Sequence, residues 1–230
     1  MKTYVVNMDW NPQRLAHMKE QLDALAIPFE KFSGIVGKDF KGKELRKVFS
    51  PLRSFIALRK KMTGGQLGCT LSHLAIYHKI IDANDPYALI FEDDVDIDGR
   101  FPEMLAKVKE FLDPDQPQIF MFSGYGSDID NNGPAEIRPE KNVWCTDGYV
   151  VTRAAAKLIT KVNEPVIVVC DSFKRWRRWH GLQLFHVIPL TVRQANERYG
   201  SDIPFEKKAN FLLRLLCWPL DWLLIKLTGR

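Results

Sequence analysis

The chain has 230 residues, 46% hydrophobic and 27% charged, which suits one large domain or two small ones and excludes a disordered chain. A formal net charge of +5 and a pI near 9.0 favour anionic partners such as nucleotide-sugars, acidic membranes, phosphorylated glycans or nucleic acid. Cys69, Cys145, Cys170 and Cys217 stand far apart with no paired spacing, which argues for reduced thiols and against a disulfide framework or a zinc motif.

The N-terminus has no basic stretch leading into an apolar core, so a signal peptide is not expected and a cytoplasmic location is. Thr3 to Met8 reads as a strand. Asn11-Pro12 then starts a helix, with Asn as the cap and Pro at the first helical position. Leu15, Met18, Leu22 and Leu25 recur at helical spacing before Pro28, and Phe29 to Phe32 reads as a second strand. This βαβ opening is typical of nucleotide-binding α/β domains, yet no Gly-x-Gly-x-x-Gly loop accompanies it. Residues 34–62 are basic and broken by Gly37, Gly42 and Pro51, with one short helix expected at Lys43 to Phe49. A longer helix is expected from about Gln66 to Asp82, ended by Asn84-Asp85-Pro86.

Tyr87 to Phe91 is an apolar strand that runs into Glu92-Asp93-Asp94. Open α/β sheets bind their ligands at such strand ends. Adjacent carboxylates repel and are not buried unpaired, so the triplet calls for water, basic side chains or a hard divalent cation such as magnesium or manganese. Glu92 and Asp94 share a strand face. Beyond it, Phe101 to Leu112 has a helical stripe, Ile119 to Phe122 a strand pattern, and Gly124 to Lys141 the composition of a loop at the active site or merely at the surface. Gly148 to Thr152 reads as a strand, Arg153 to Val162 as a helix, and Val166 to Val169 as an apolar run ending at Asp171. Lys174 to His180 mixes cations with tryptophans, suiting either an acceptor-side surface or a solvated helix with its tryptophans inward, and Leu184 to Ile188 is strand-like.

From Phe205 onward the chain is dense in Phe, Leu and Trp, broken by Lys207, Lys208, Arg214, Pro219, Asp221 and Lys226. The division expected is therefore a main domain over 1–204 and an amphipathic tail over 205–230. That tail is too interrupted to span a bilayer, but it suits the membrane surface; the alternatives are a helix folded back on the domain or an oligomer contact.

Gly64-Gly65, Gly68-Cys69, Ser72-His73 and the later Glu92-Asp93-Asp94 together resemble glycosyltransferase family 25, which includes lipopolysaccharide and lipo-oligosaccharide sugar transferases. Val5 to Arg14, Phe32-Ser33-Gly34, Gly148 to Thr152 with Ala156-Lys157, and Asp171 extend the resemblance over about residues 1–195. It implies a Rossmann-like, GT-A-type mixed sheet flanked by helices. It also implies a metal-dependent inverting transferase moving a hexose, galactose from UDP-galactose first among candidates, onto a lipopolysaccharide or lipo-oligosaccharide acceptor. The cofactor expected is Mn2+ or Mg2+, and the partners are a nucleotide-sugar donor, a glycolipid and the inner-membrane surface, with a homo-oligomer conceivable and nucleic acid not expected.

On this reading Asp94 is the metal ligand, and Glu92 either shares the metal or binds ribose, a role Asp93 competes for. His186 is the candidate late metal ligand, or else a core histidine. Inversion needs one general base, for which Asp171 comes first and Asp147 second, each alternatively a helix cap. Gly65, Ser72 and His73 are expected at the donor beside a helix start, Cys69 in the core, and Arg14 against the diphosphate or in solvent. The competing classes are a metal-dependent phosphodiesterase and a non-catalytic glycan- or membrane-binding member of the same fold.

Overall fold

The structure is a computed structural model and describes residues 1–124, 133–195 and 211–229. A seven-stranded mixed sheet, in the order β2-β1-β3-β7-β5-β8-β6, forms the middle layer. Its strands are β1 (Lys2–Asn7), β2 (Glu30–Ser33), β3 (Tyr87–Glu92), β5 (Gln118–Met121), β6 (Glu136–Pro139), β7 (Gly148–Thr152) and β8 (Gln183–Ile188). β1 pairs in parallel with β2 and β3, and β5 with β8; β7 runs antiparallel to β3 and β5, and β6 to β8. A second sheet pairs β4 (Val95–Ile97) with β9 (Val192–Gln194).

Because side chains alternate along a strand, β3 feeds two cores. Ala88 and Ile90 face α4 (Gly64–Asp82), α6 (Arg153–Asn163) and α7 (Phe173–His180). Leu89 and Phe91 face α1 (Pro12–Ala24) and α5 (Phe101–Phe111). The chain leaves β1 through α1 to reach β2, then returns to β3 on the other side of β1. That reversal opens a crevice outside the carboxyl ends of β1 and β3, where such sheets bind ligands.

Several local expectations need correcting. Asn11 occupies the α1 cap position without a side-chain cap bond; its carbonyl instead accepts from Asn7 Nδ2 at 2.9 Å. Between β2 and α4 the chain forms a short 3-10 turn (Gly37–Asp39), α2 (Gly42–Val48) and a further helix, α3 (Pro51–Leu58). α4 starts earlier than the apolar stripe indicates because Thr63 and Gln66 form a reciprocal capping box. Gly64 and Gly65 therefore lie in its first turn. Val166 to Val168 is buried, but the run to Val169 is not a strand, since the Asn163 side chain bonds the Ile167 and Val168 amides and the Val168 carbonyl. Asp171 follows it in a turn. β6 lies inside the segment read as a loop, of which residues 125–132 fall outside the described residues.

Gly68 packs against protein and not against a ligand. A β-carbon there would stand 2.3 Å from the Ile35 carbonyl and 2.8 Å from the Gly37 amide. Gly68→Ala should therefore cost about 1–3 kcal/mol in urea denaturation by levering the Ile35–Lys38 segment off α4. A variant as stable as the parent would contradict this packing.

The last helix, α8 (Phe211–Thr228), continues through Pro219 and packs on α3. Asp221 does not interrupt it as an exposed charge: it is buried and accepts two bonds from Arg175 of α7, at 2.5 and 2.8 Å. Among the described residues no helix is long and apolar enough to cross a membrane. Residues 205–210 of the expected tail lie outside the described residues.

Candidate active site

A cavity of about 1000 Å³ occupies the crevice, and Glu92, Asp93, Asp94, Asp147 and Asp171 all line it. The three acids that end β3 have three different environments. Asp93 turns toward α1, where its carboxylate accepts from Asn7 Nδ2 at 2.6 Å and Arg14 Nη1 at 3.3 Å. Burial raises its pKa, and Asn7 and Arg14 oppose that rise. Arg14 is thus buried and held by the protein's own acid, while still lining the cavity.

Glu92 turns to the opposite face. Its Oε1 accepts from the Thr146 hydroxyl and lies 3.9 Å from Cys69 Sγ and 3.6 Å from His73 Nε2. Burial pushes its pKa up, but the His73 interaction and the Thr146 and Cys69 contacts outweigh it and hold the carboxyl low.

Asp94 is the least satisfied of the three. Its Oδ2 is 3.9 Å from Arg14 Nη1, and its buried Oδ1 has no hydrogen-bond partner. Burial, then the charges of Glu92 and Asp93, push its pKa up to about 7.

Asp147 lies just before β7 and is almost completely buried. Its Oδ1 accepts from Gln194 Nε2 at 2.9 Å, and its Oδ2 has no hydrogen-bond partner. Burial, then the charge of Glu92, push it up to about 8. The β4–β9 sheet ties this acid to the triplet, because the Ala195 amide, next to Gln194, donates to the Asp94 carbonyl at 2.8 Å. Asp171 is half-buried beside α7, and its pKa is raised chiefly by burial.

Of the expected donor residues, Gly65 lines the cavity from the first turn of α4. Ser72 also touches the cavity, but its hydroxyl donates to the Gly68 carbonyl and accepts from the Ile35 amide, both at 2.8 Å, so it clamps the preceding segment. His73 is buried behind the wall, with Nδ1 2.7 Å from the Tyr149 hydroxyl and Nε2 without a hydrogen-bond partner. His186 does not join the carboxylates. It lies within β8, buried, with Nδ1 3.6 Å from Glu140, and it is not part of the cavity lining. Burial lowers its pKa.

On the other side of the cavity stand Lys174, Arg175, Arg178 and Trp179 of α7, with Trp218, Asp221 and Trp222 of α8. Trp176 points into the core, so only part of the basic–aromatic run faces the cavity.

The family model of glycosyltransferase family 25 (LPS biosynthesis protein) matches residues 1–174. The chain belongs to this family. A putative glycosyltransferase of Haemophilus influenzae is 26% identical over 185 residues, covering 74% of this chain and 61% of that protein. The lacto-N-neotetraose biosynthesis glycosyltransferase LgtB of Neisseria meningitidis serogroup A is 25% identical over 166 residues, covering 67% and 58%. The chain thus spans less than two thirds of the length of these relatives. Among solved structures, a glycosyltransferase involved in glycosylation of the major capsid of PBCV-1 is 12% identical and covers 78% of this chain and 70% of its own, at a TM-score of 0.29. That value is too low to assign a fold. As a family-25 chain, the protein has its family motif split between cavity wall (Gly65, Cys69, Glu92 to Asp94) and the packing behind it (His73).

Proposed function

We propose that this family-25 chain is a metal-dependent hexosyltransferase that takes a nucleotide-sugar donor, UDP-galactose first among candidates, in a GT-A-like crevice. The observation that carries the reading is the large cavity at the ends of β1 and β3, lined by Asp94 and Asp147, each of which has one buried carboxylate oxygen without a hydrogen-bond partner. The fit to Mn2+ or Mg2+ rests on those oxygens: hard cations of this kind are held by one or two carboxylates plus substrate phosphates. Such an ion, when bound, would offset the charge that develops on a nucleoside diphosphate leaving group. Asp147 thus takes the ligand place first considered for Glu92 and His186.

The chain's own residues do the rest. The Arg14–Asp93–Asn7 network fixes the end of β3, so Asp94 is presented in one orientation. Asp171 faces the cavity beside the cationic and aromatic residues of α7, which suits a base that takes the acceptor hydroxyl's proton. The phosphodiesterase alternative is the weaker one. Among the described residues, the only three side chains that converge as metal ligands are two thiols and an imidazole, not carboxylates.

The Neisseria meningitidis relative is named for lacto-N-neotetraose biosynthesis, and a lipid-linked glycan is the acceptor proposed here. Leu216, Leu220, Leu223 and Leu227 recur on an exposed face of α8, next to the cavity residues Trp218 and Trp222. That face suits shallow insertion at a membrane surface.

The deciding experiment is a panel of UDP-sugars with and without manganese, scoring nucleotide release and product on deacylated glycolipid. Turnover of UDP-galactose that stops on manganese removal is expected, and metal-independent transfer would overturn the mechanism. For the membrane, Leu220→Glu with Leu223→Glu should abolish co-sedimentation with anionic vesicles while transfer to the deacylated acceptor persists. Unchanged sedimentation would remove α8 as the contact.

A further inference from the structure

Cys69 on α4 and Cys170 in the turn before α7 are 101 positions apart, yet their sulfurs lie 3.2 Å from each other. That is well beyond the roughly 2.05 Å of a disulfide. His73, one turn after Cys69 on the same helix, brings its Nε2 into the same space. The two sulfurs and one histidine nitrogen all lie within 4.8 Å of one another. His73 is 1% exposed, and its Nε2 has no hydrogen-bond partner. Glu92 closes a fourth side, with Oε1 3.9 Å from Cys69 Sγ and 3.6 Å from His73 Nε2.

We propose that Cys69, His73 and Cys170 form a three-ligand site for one thiophilic divalent cation of the zinc class at the floor of the cavity, with Glu92 at its edge. This site is separate from the Asp94–Asp147 pair and does not depend on the transferase reading. Tetrahedral zinc with ligand bonds of about 2.0–2.3 Å keeps its ligand atoms roughly 3.3–3.8 Å apart. The sulfur–sulfur separation of 3.2 Å lies just below that range and all three ligand atoms lie within 4.8 Å of one another, so small side-chain adjustments would bring them onto one ion. The ligand set is soft enough to select zinc-class ions over manganese or magnesium.

The surroundings orient the histidine as a ligating imidazole requires. Tyr149 Oη is 2.7 Å from His73 Nδ1 and 2.7 Å from Tyr77 Oη. With Nδ1–H donating to Tyr149 and Tyr149 donating to Tyr77, the Nε2 lone pair faces the two sulfurs; partners of this kind tune metal affinity. Ligation would send the thiol protons to solvent, so affinity should rise with pH. A bound ion would join α4 to the turn before α7.

The test uses the full chain, reduced and desalted, with zinc and cobalt ions as probes. We expect about one zinc per chain, and on cobalt substitution a thiolate-to-metal charge-transfer band with tetrahedral d–d intensity. Cys69→Ser and Cys170→Ser should lose that band. Tyr149→Phe, which keeps the ring but loses the hydroxyl, should weaken binding about 10–100-fold. Added zinc should raise the melting temperature of the parent and not of the cysteine variants, which also shows whether each variant folds. Asp94→Asn should keep the cobalt signal whatever its effect on transfer, so the two readings fail independently. The proposal is overturned by absence of the band in fully reduced protein, by cysteine variants that hold metal like the parent, or by a Cys69–Cys170 disulfide with no cation uptake after reduction.

Discussion

Asp94→Asn should lower sugar transfer by about a thousandfold or more, equivalent to roughly 4 kcal/mol of transition-state stabilisation, while leaving the fold intact. Asp94 is the one acid of the triplet not already committed to protein partners at hydrogen-bond distance. Asp93 is taken by Asn7 and Arg14, and Glu92 by Thr146, with Cys69 and His73 beside it. The same substitution at the neighbours should behave differently. Asp93→Asn would leave the buried Arg14 with less compensation, so its main expected effect is on stability. The pH dependence follows from the carboxyl's environment. With its pKa at about 7, Asp94 is half protonated at neutral pH in the donor-free protein, and a cation must displace that proton. Manganese affinity should therefore rise as pH increases from 6 to 8, measurable by titration calorimetry at several pH values. A flat profile, or an Asp94→Asn variant within tenfold of the parent, would detach this residue from the metal.

Where chemistry follows from short-range pattern, the sequence is readable. The run Tyr87 to Phe91 is apolar on both faces because it is a central strand between two cores, and the acids begin where the strand reaches the cavity. β7 and α6 lie almost where composition places them, since Thr152 both closes the strand and caps the helix through the Ala155 amide. Thr63-x-x-Gln66 was likewise a readable start signal for α4. Other features are set by contacts that no local window contains. The Val166 to Val169 run has the apolarity of a buried strand, but its backbone groups are taken by the Asn163 side chain and, at Val166, by the Val48 carbonyl and Ser50 amide instead of by the sheet. β6 is a polar edge strand whose residues look like loop. The Cys69–Cys170 approach depends on α4 and α7 packing on the same sheet face, and spacing along the chain does not reveal it. His186 is a related case: a histidine in an apolar strand reads the same whether its face meets the cavity or the Glu140 side of the sheet, and here it meets Glu140.

Asp147→Asn should make the protein more stable and less active at once. An ordinary aspartate has a pKa of 3.8; burial raises this one to about 8 in the folded chain. Between those values the unfolded chain has released the proton and the folded chain keeps it. The folded state therefore binds more protons there, and its stability falls as pH rises from about 4 to about 8. If the whole shift were realised, the loss would be about 6 kcal/mol at most, and relaxation or bound cation would reduce it. Asparagine cannot ionise, and its side-chain oxygen can still accept from Gln194. Without added divalent cation, the variant should thus exceed the parent in stability by a few kcal/mol at pH 8, and the gap should close toward pH 4. Transfer should meanwhile fall by about a hundredfold or more, because a cavity-lining carboxylate with one oxygen unclaimed by the protein has lost its charge. Urea denaturation at pH 4, 6 and 8, alongside the transfer assay, distinguishes this from a structural role. A purely structural carboxylate would give a variant that is less stable at every pH, and that result would remove Asp147 from the catalytic machinery.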